Sequence, residues 1–168
     1  MKCLIQMYSS RNQSVLFYED ASHPNLHRHP ALIAVPMAHN PFTQAPAYFT
    51  QAFNTAESEW ATHRPIIRTD APELGKWGFR KRIAKEAPYF HVWFGLEGGM
   101  GHVVEDEERW GNGELWVRSI LGGGLLGIDR SVWGRMGRWT GYDERVDGFR
   151  KKFDMFDWTK ELAVQEGS

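Results

Sequence analysis

The sequence predicts an α+β fold with an antiparallel sheet and packed helices. Three observations point there. Pro88 to Asp106 (PYFHVWFGLEGGMGHVVED) sets two apolar, aromatic runs on either side of a Gly-Gly turn, the pattern of a β-hairpin at the centre of the fold. Ser14–Tyr18 (SVLFY) and Pro30–Val35 (PALIAV) are short apolar runs, which suit two antiparallel strands joined by the polar loop 21–28. Tyr48, Phe49, Ala52, Phe53, Ala56 and Trp60 recur at the three-to-four-residue spacing of one buried helix face, predicting a helix over 47–62 that Pro65 ends.

The other elements follow in chain order. Residues 1–8 suit either the end of a helix or a loop. Pro36 is expected to stop the second strand, because proline cannot donate to a sheet ladder. Three prolines (Pro36, Pro41 and Pro46) make 37–46 read as a linker. Residues 66–87 are mixed in pattern. Within the hairpin, a turn centred on Gly98 would pair His91 with Glu105 and place His102 opposite Phe94, on the other face. A slip of one residue would bring both histidines to one face. Glu105 to Glu108 reads as a solvated acidic tip. A helix over 114–121 is expected to break at Gly122-Gly123-Gly124, and short helices are expected over 128–133 and 143–153. The last carries Val146, Phe149 and Phe153 on one face.

Composition excludes several classes. With 168 residues, the chain suits one medium domain, or a small domain joined to part of another. Eight Trp and an aromatic share of 14% are too many for a disordered tail. A formal net charge of −1 leaves no global field to draw in nucleic acid or membrane, so any such attraction must come from local patches. Cys3 is the single cysteine, which rules out an intramolecular disulfide and fits a reducing compartment. No apolar run approaches the roughly 18 residues that span a bilayer.

Several clusters carry possible chemistry. His27 and His29 alternate, as phosphate or metal ligands on a strand would, but Pro30 keeps them off one regular strand face. Solvated histidines at a loop end are the simpler reading. His91 and His102 could pair with a carboxylate for acid–base work, or could be bonded into the sheet as framework. The acids of 105–108 lack calcium-loop spacing. LGGGLLG, Leu121 to Gly127, lacks the Gly-Lys-Ser/Thr of a phosphate loop. Two basic clusters remain: Lys76, Arg80, Lys81, Arg82 and Lys85, interleaved with Trp77 and Phe79; and Arg135, Arg138, Arg150, Lys151 and Lys152, near Trp133 and Trp139. Cations contact phosphates irrespective of sequence and aromatics stack on unpaired bases, so both clusters suit RNA, against the alternative of plain solvated faces.

The hairpin PYFHVWFGLEGGMGHVVEDE, the later WVRSILGGGLLGIDRSVWGR and the closing FRKKFDMFDWTK resemble, in order and spacing, the C-terminal region of the CwfJ family of splicing factors across residues 41–160. NQSVLFYEDA followed by HRHPALIAVP resembles the end of that family's preceding domain, which is similar to the histidine-triad (HIT) nucleotide hydrolases. The resemblance implies a partial HIT-like segment over 1–40, a second CwfJ C-terminal domain over 41–162 and a tail over 163–168. Aligned on the triad, His29, Ala31 and Ile33 fill its three positions, and Ala31 at the nucleophile position has no lone pair with which to attack phosphorus. Nothing like the family's earlier Gly-His-Cys-Leu-Ile strand precedes Lys2, so only half of that domain is expected.

The expected role is therefore non-catalytic: a nuclear pre-mRNA splicing module of the post-catalytic, intron-lariat spliceosome, without a cofactor or metal. The expected partners are spliceosomal proteins, intron-lariat RNA and the lariat-debranching enzyme, with no membrane. RNA contacts are expected at the basic residues of the two clusters and at His91 and His102. One alternative is a HIT-like hydrolase or transferase using His27, His29, His91 or His102. Another is a protein-binding scaffold that presents its tryptophans.

Overall fold

The computed structural model describes residues 1–23, 31–56, 66–83, 88–134, 143–160 and 162. Among them, five strands form one antiparallel sheet in the order β2-β1-β4-β5-β3. The strands are β1 (Gln13–Ala21), β2 (Leu32–Ala38), β3 (Ile67–Arg68), β4 (Tyr89–Trp93) and β5 (Gly99–Val103). The described α-helices are α1 (Lys2–Ser9), α2 (His39–Ala56), α3 (Gly78–Arg82), α4 (Glu107–Trp110), α5 (Gly113–Arg118), α6 (Arg130–Trp133) and α7 (Glu144–Phe153). The α+β class is the one the sequence predicts. No described helix is long and apolar enough to cross a membrane.

Strand alternation divides the core into two layers. Leu16 and Tyr18 of β1, Phe90 and Val92 of β4, and Met100 of β5 point to one face. There they meet Phe49 and Phe53 of α2, Trp110 of α4, and Val117 of α5. Val15, Phe17 and Trp93 point to the other face, against Leu4, Ile5 and Tyr8 of α1 and Phe79 of α3. Helix α7 packs on α1, so it lies on this second side.

Three expectations from proline and glycine do not hold. Strand β2 runs through Pro36, which pairs with Val15. The strand is at the sheet edge, where a missing N–H removes nothing from the ladder if it faces outward. Residues 39–46 are not a linker, because α2 begins at His39. Pro41 falls in its first turn, where N–H groups lack helical partners in any case. Pro46 lies inside the helix. A proline there costs about 3 kcal/mol. Phe49 and Phe53 are fully buried on the same helix, contributing about 1.5–3 kcal/mol each, which offsets it. The glycine run does not break the helix either. Ser119–Leu125 continues α5 as a π-helical turn, closed by Leu126 N–H donating to the Leu121 carbonyl at 2.9 Å. Trp133 fills the space beside Gly122 and Gly123, where a Cβ would come within 3.1 Å of it or closer.

The acidic run also has a structural task. Asp106 caps α4, accepting the Arg109 N–H at 3.0 Å, and Glu107 and Glu108 occupy its first turn. Acids belong at that positive helix end. Helix α7 forms as expected, with Phe149 and Phe153 stacked at 5.6 Å.

Candidate functional site

The hairpin turn is not centred on Gly98. Strand β4 pairs with β5 as Phe90↔His102 and His91↔Gly101, with Phe94 to Gly98 forming the turn. Each histidine's partner lies four residues from the expected one, Gly101 in place of Glu105 and Phe90 in place of Phe94, an even shift that leaves the side-chain faces unchanged. His91 and His102 therefore point to opposite faces and do not form one site.

His91 is fully buried on the α1/α3 face. Its ring lies 4.0 Å from that of Trp93 and 4.8 Å from that of Phe79, centroid to centroid. Residue 101 must be glycine for the ring to fit, since a Cβ there would lie 2.9 Å from His91 Cδ2 and 2.3 Å from Ile83 Cδ1. Thr69 Oγ1 accepts the Gly99 N–H at 3.0 Å and is hydrogen-bonded to His91 Nε2 at 2.7 Å. His91 Nδ1 is buried without a hydrogen-bond partner. Burial pushes the imidazole pKa down from 6.5 to about 3, so the ring is neutral at physiological pH. Thr69 carries no sequence signal for this role, because 22 residues separate it from His91.

His102 is 7% exposed on the α2/α5 face. It stacks on Phe53 at 5.7 Å and on Trp110 at 5.4 Å. A cavity of about 640 Å³ opens beside it. Tyr48, Gln51 and Thr55 of α2 form one wall, and His102, Trp110 and Trp116 contribute rings. Glu105, Asp106 and Arg109 are exposed residues that also line it. Trp110 Nε1 is buried and has no hydrogen-bond partner. The sequence shows this cavity poorly because three separated segments build it.

The basic clusters meet the structure in part. Arg80, Lys81 and Arg82 are exposed in the last turn of α3. Lys151 and Lys152 are exposed in the last turn of α7, beside Arg150, whose guanidinium is 3.8 Å from Asp147. Both helices lie on the α1 side of the sheet. Lys85, Arg135, Arg138, Trp139, His27 and His29 lie outside the described residues, as does the Lys76 side chain. The neighbouring aromatics are less free than their spacing suggests. Phe79 packs against Tyr89, His91 and Trp93, and Trp133 is half-buried against the π-helical turn. Trp77 is 49% exposed, with the Arg80 guanidinium 6.0 Å from its ring centre. Ala31 is exposed at the entry to β2. Among the described residues, no group of three or more His, Cys, Asp or Glu could hold a metal ion.

A family model described as "Protein similar to CwfJ C-terminus 2" matches residues 59–159, and one described as "Protein similar to CwfJ C-terminal" matches residues 1–50. The pre-mRNA-splicing factor cwf19 of Schizosaccharomyces pombe is 45% identical over 165 residues, covering 96% of this chain and 26% of that protein. A CWF19-like protein 2 homolog of Drosophila melanogaster is 32% identical over 95% of this chain and 22% of its own length. CWF19-like protein 2 of Danio rerio is 31% identical over 95% of this chain and 16% of its own. The chain thus spans about a quarter or less of the length of these relatives. The two family models, which together cover most of the chain, place it in the CwfJ family.

Proposed function

We propose that this chain is a non-catalytic module of a nuclear pre-mRNA splicing factor. It contacts intron-lariat RNA of the post-catalytic spliceosome, and its protein neighbours there include spliceosomal proteins and the lariat-debranching enzyme. One observation carries the RNA reading: the two helices that end in exposed cations, α3 and α7, lie on the same side of the sheet. Such cations neutralise phosphates without reading sequence. The splicing factor named among the relatives supports the cellular setting.

The histidines support a non-catalytic role. His91 is buried, neutral and bonded to Thr69, and faces away from His102. Ala31 offers no nucleophile where the triad resemblance requires one.

Charge reversal of Arg80, Lys81 and Arg82 to Glu tests the reading. Binding to branched or single-stranded RNA should weaken. The slope of log affinity against log salt should fall by about 2, from three lost phosphate contacts at roughly 0.7 each. Unchanged affinity and slope would remove α3 from the RNA surface.

A further inference from the structure

We infer that the cavity on the His102 face takes a single unpaired nucleobase, guanine fitting best, and leaves the attached phosphate outside. This goes beyond the basic surface, because the cavity lies on the opposite side of the sheet from α3 and α7. It also lies on the β5 side of the fold, with β1 and β4 between β5 and β2.

Size, shape and hydrogen bonding agree. A volume of about 640 Å³ falls within the range of small-molecule sites. The rings of Tyr48, His102, Trp110 and Trp116 border it; His102, stacked on both Phe53 and Trp110, and the two indoles, packed on each other, give a flat base an aromatic wall to lie against. The Trp110 indole N–H is a buried donor with no partner, so it calls for an acceptor. A base edge supplies one. Asp106 supplies the opposite need. Its Oδ1 caps α4, and as a carboxylate it only accepts, so it favours a base rich in N–H donors. Guanine presents N1–H beside an exocyclic amino group, with acceptors at O6 and N7. Gln51 can serve either kind of edge.

Charge argues against two other occupants. The charged lining residues are two carboxylates, Glu105 and Asp106, and one guanidinium, Arg109, a balance that disfavours phosphate. A cationic side chain would suit the carboxylates and rings but would leave the Trp110 N–H without an acceptor.

Titration of the full chain with guanosine, adenosine, cytidine, uridine and guanosine monophosphate tests this. The tryptophan indole N–H signals in NMR give the readout. Guanosine should shift the Trp110 and Trp116 signals and bind tightest, with uridine weakest and the monophosphate no tighter than guanosine. Thr55 is exposed on α2, so Thr55→Trp should block the cavity without unfolding the chain, weakening guanosine by at least about tenfold. Asp106→Asn keeps an N-cap but replaces an acceptor oxygen with a donor, and should weaken guanosine more than uridine. Reversing the charges of α3 should leave guanosine binding intact, which separates this site from the basic surface. The inference is overturned if millimolar guanosine moves neither indole signal, if Thr55→Trp binds guanosine as well as the parent does, or if the α3 reversal abolishes that binding. Tighter binding of the monophosphate would overturn the exclusion of phosphate.

Discussion

Acidification should destabilise this protein through His91, by an amount that burial sets. The imidazole has a pKa of about 3 in the fold, against 6.5 for the exposed side chain. Below pH 6.5 the unfolded chain therefore takes up a proton that the folded chain refuses. Stability from this group is complete above pH 6.5, falls as the pH drops, and is fully lost below about pH 3, where both states are protonated. Each unit costs about 1.4 kcal/mol, so the loss at pH 4.5 is about 2.7 kcal/mol. That is a large share of the roughly 5–15 kcal/mol that holds a typical domain together. Phe79, Trp93, Thr69 and Ile83 surround the ring, and burial is the whole cause of the shift. The assay is urea unfolding of the parent and of His91→Gln at pH 7 and pH 4.5. Glutamine reaches toward Thr69 with an amide and does not titrate. Every other ionisable group is common to both proteins and cancels in the comparison. The parent should lose about 2–3 kcal/mol more than the variant between the two pH values. Equal acid sensitivity, or a His91 ring that titrates near pH 6 by NMR, would refute the reasoning.

Two further substitutions probe the frame around the hairpin. A Cβ added at residue 78 would lie 1.8 Å from the Thr69 carbonyl oxygen, so Gly78→Ala must push backbone away from backbone. It should cost about 1–3 kcal/mol in urea unfolding and displace Thr69 from His91. Asn112 caps α5 by accepting the Leu115 N–H at 2.9 Å. Asn112→Ala should lower stability by about 1 kcal/mol and Asn112→Asp should not, compared by thermal or urea unfolding.

Much of the fold was legible because its signals are local. The alternation in β1, β4 and β5 and the helical spacing of Phe49 and Phe53 survive intact. The errors cluster at proline and glycine, whose local meaning depends on place. Pro36 is tolerable because β2 is an edge, Pro46 because the aromatic face of α2 is buried, and Gly122 and Gly123 because Trp133 fills the space they leave. The strand that pairs with Pro36 and the Trp133 ring lie outside the local stretch in which each residue is read. The site was harder still. His91 and His102 stand out in the sequence, yet what decides their roles is Thr69 for one and the α2/α4/α5 rings for the other. Phe79 reads as a stacking surface beside cations, but its ring is spent on packing against β4.

The pairing of β1 with β4 has a consequence for dissecting this family. Phe17↔Trp93 through Ala21↔Tyr89 joins a strand of the region matched by the first family model to a strand of the region matched by the second. Neither region owns a finished sheet. Expressed without residues 1–50, the remainder would present β4 as a bare edge flanked by Phe90, Val92 and Trp93, an invitation to self-association. The boundary between the two homology regions is thus a poor place to cut, and loss of function after such a cut would report a broken sheet, not a missing activity.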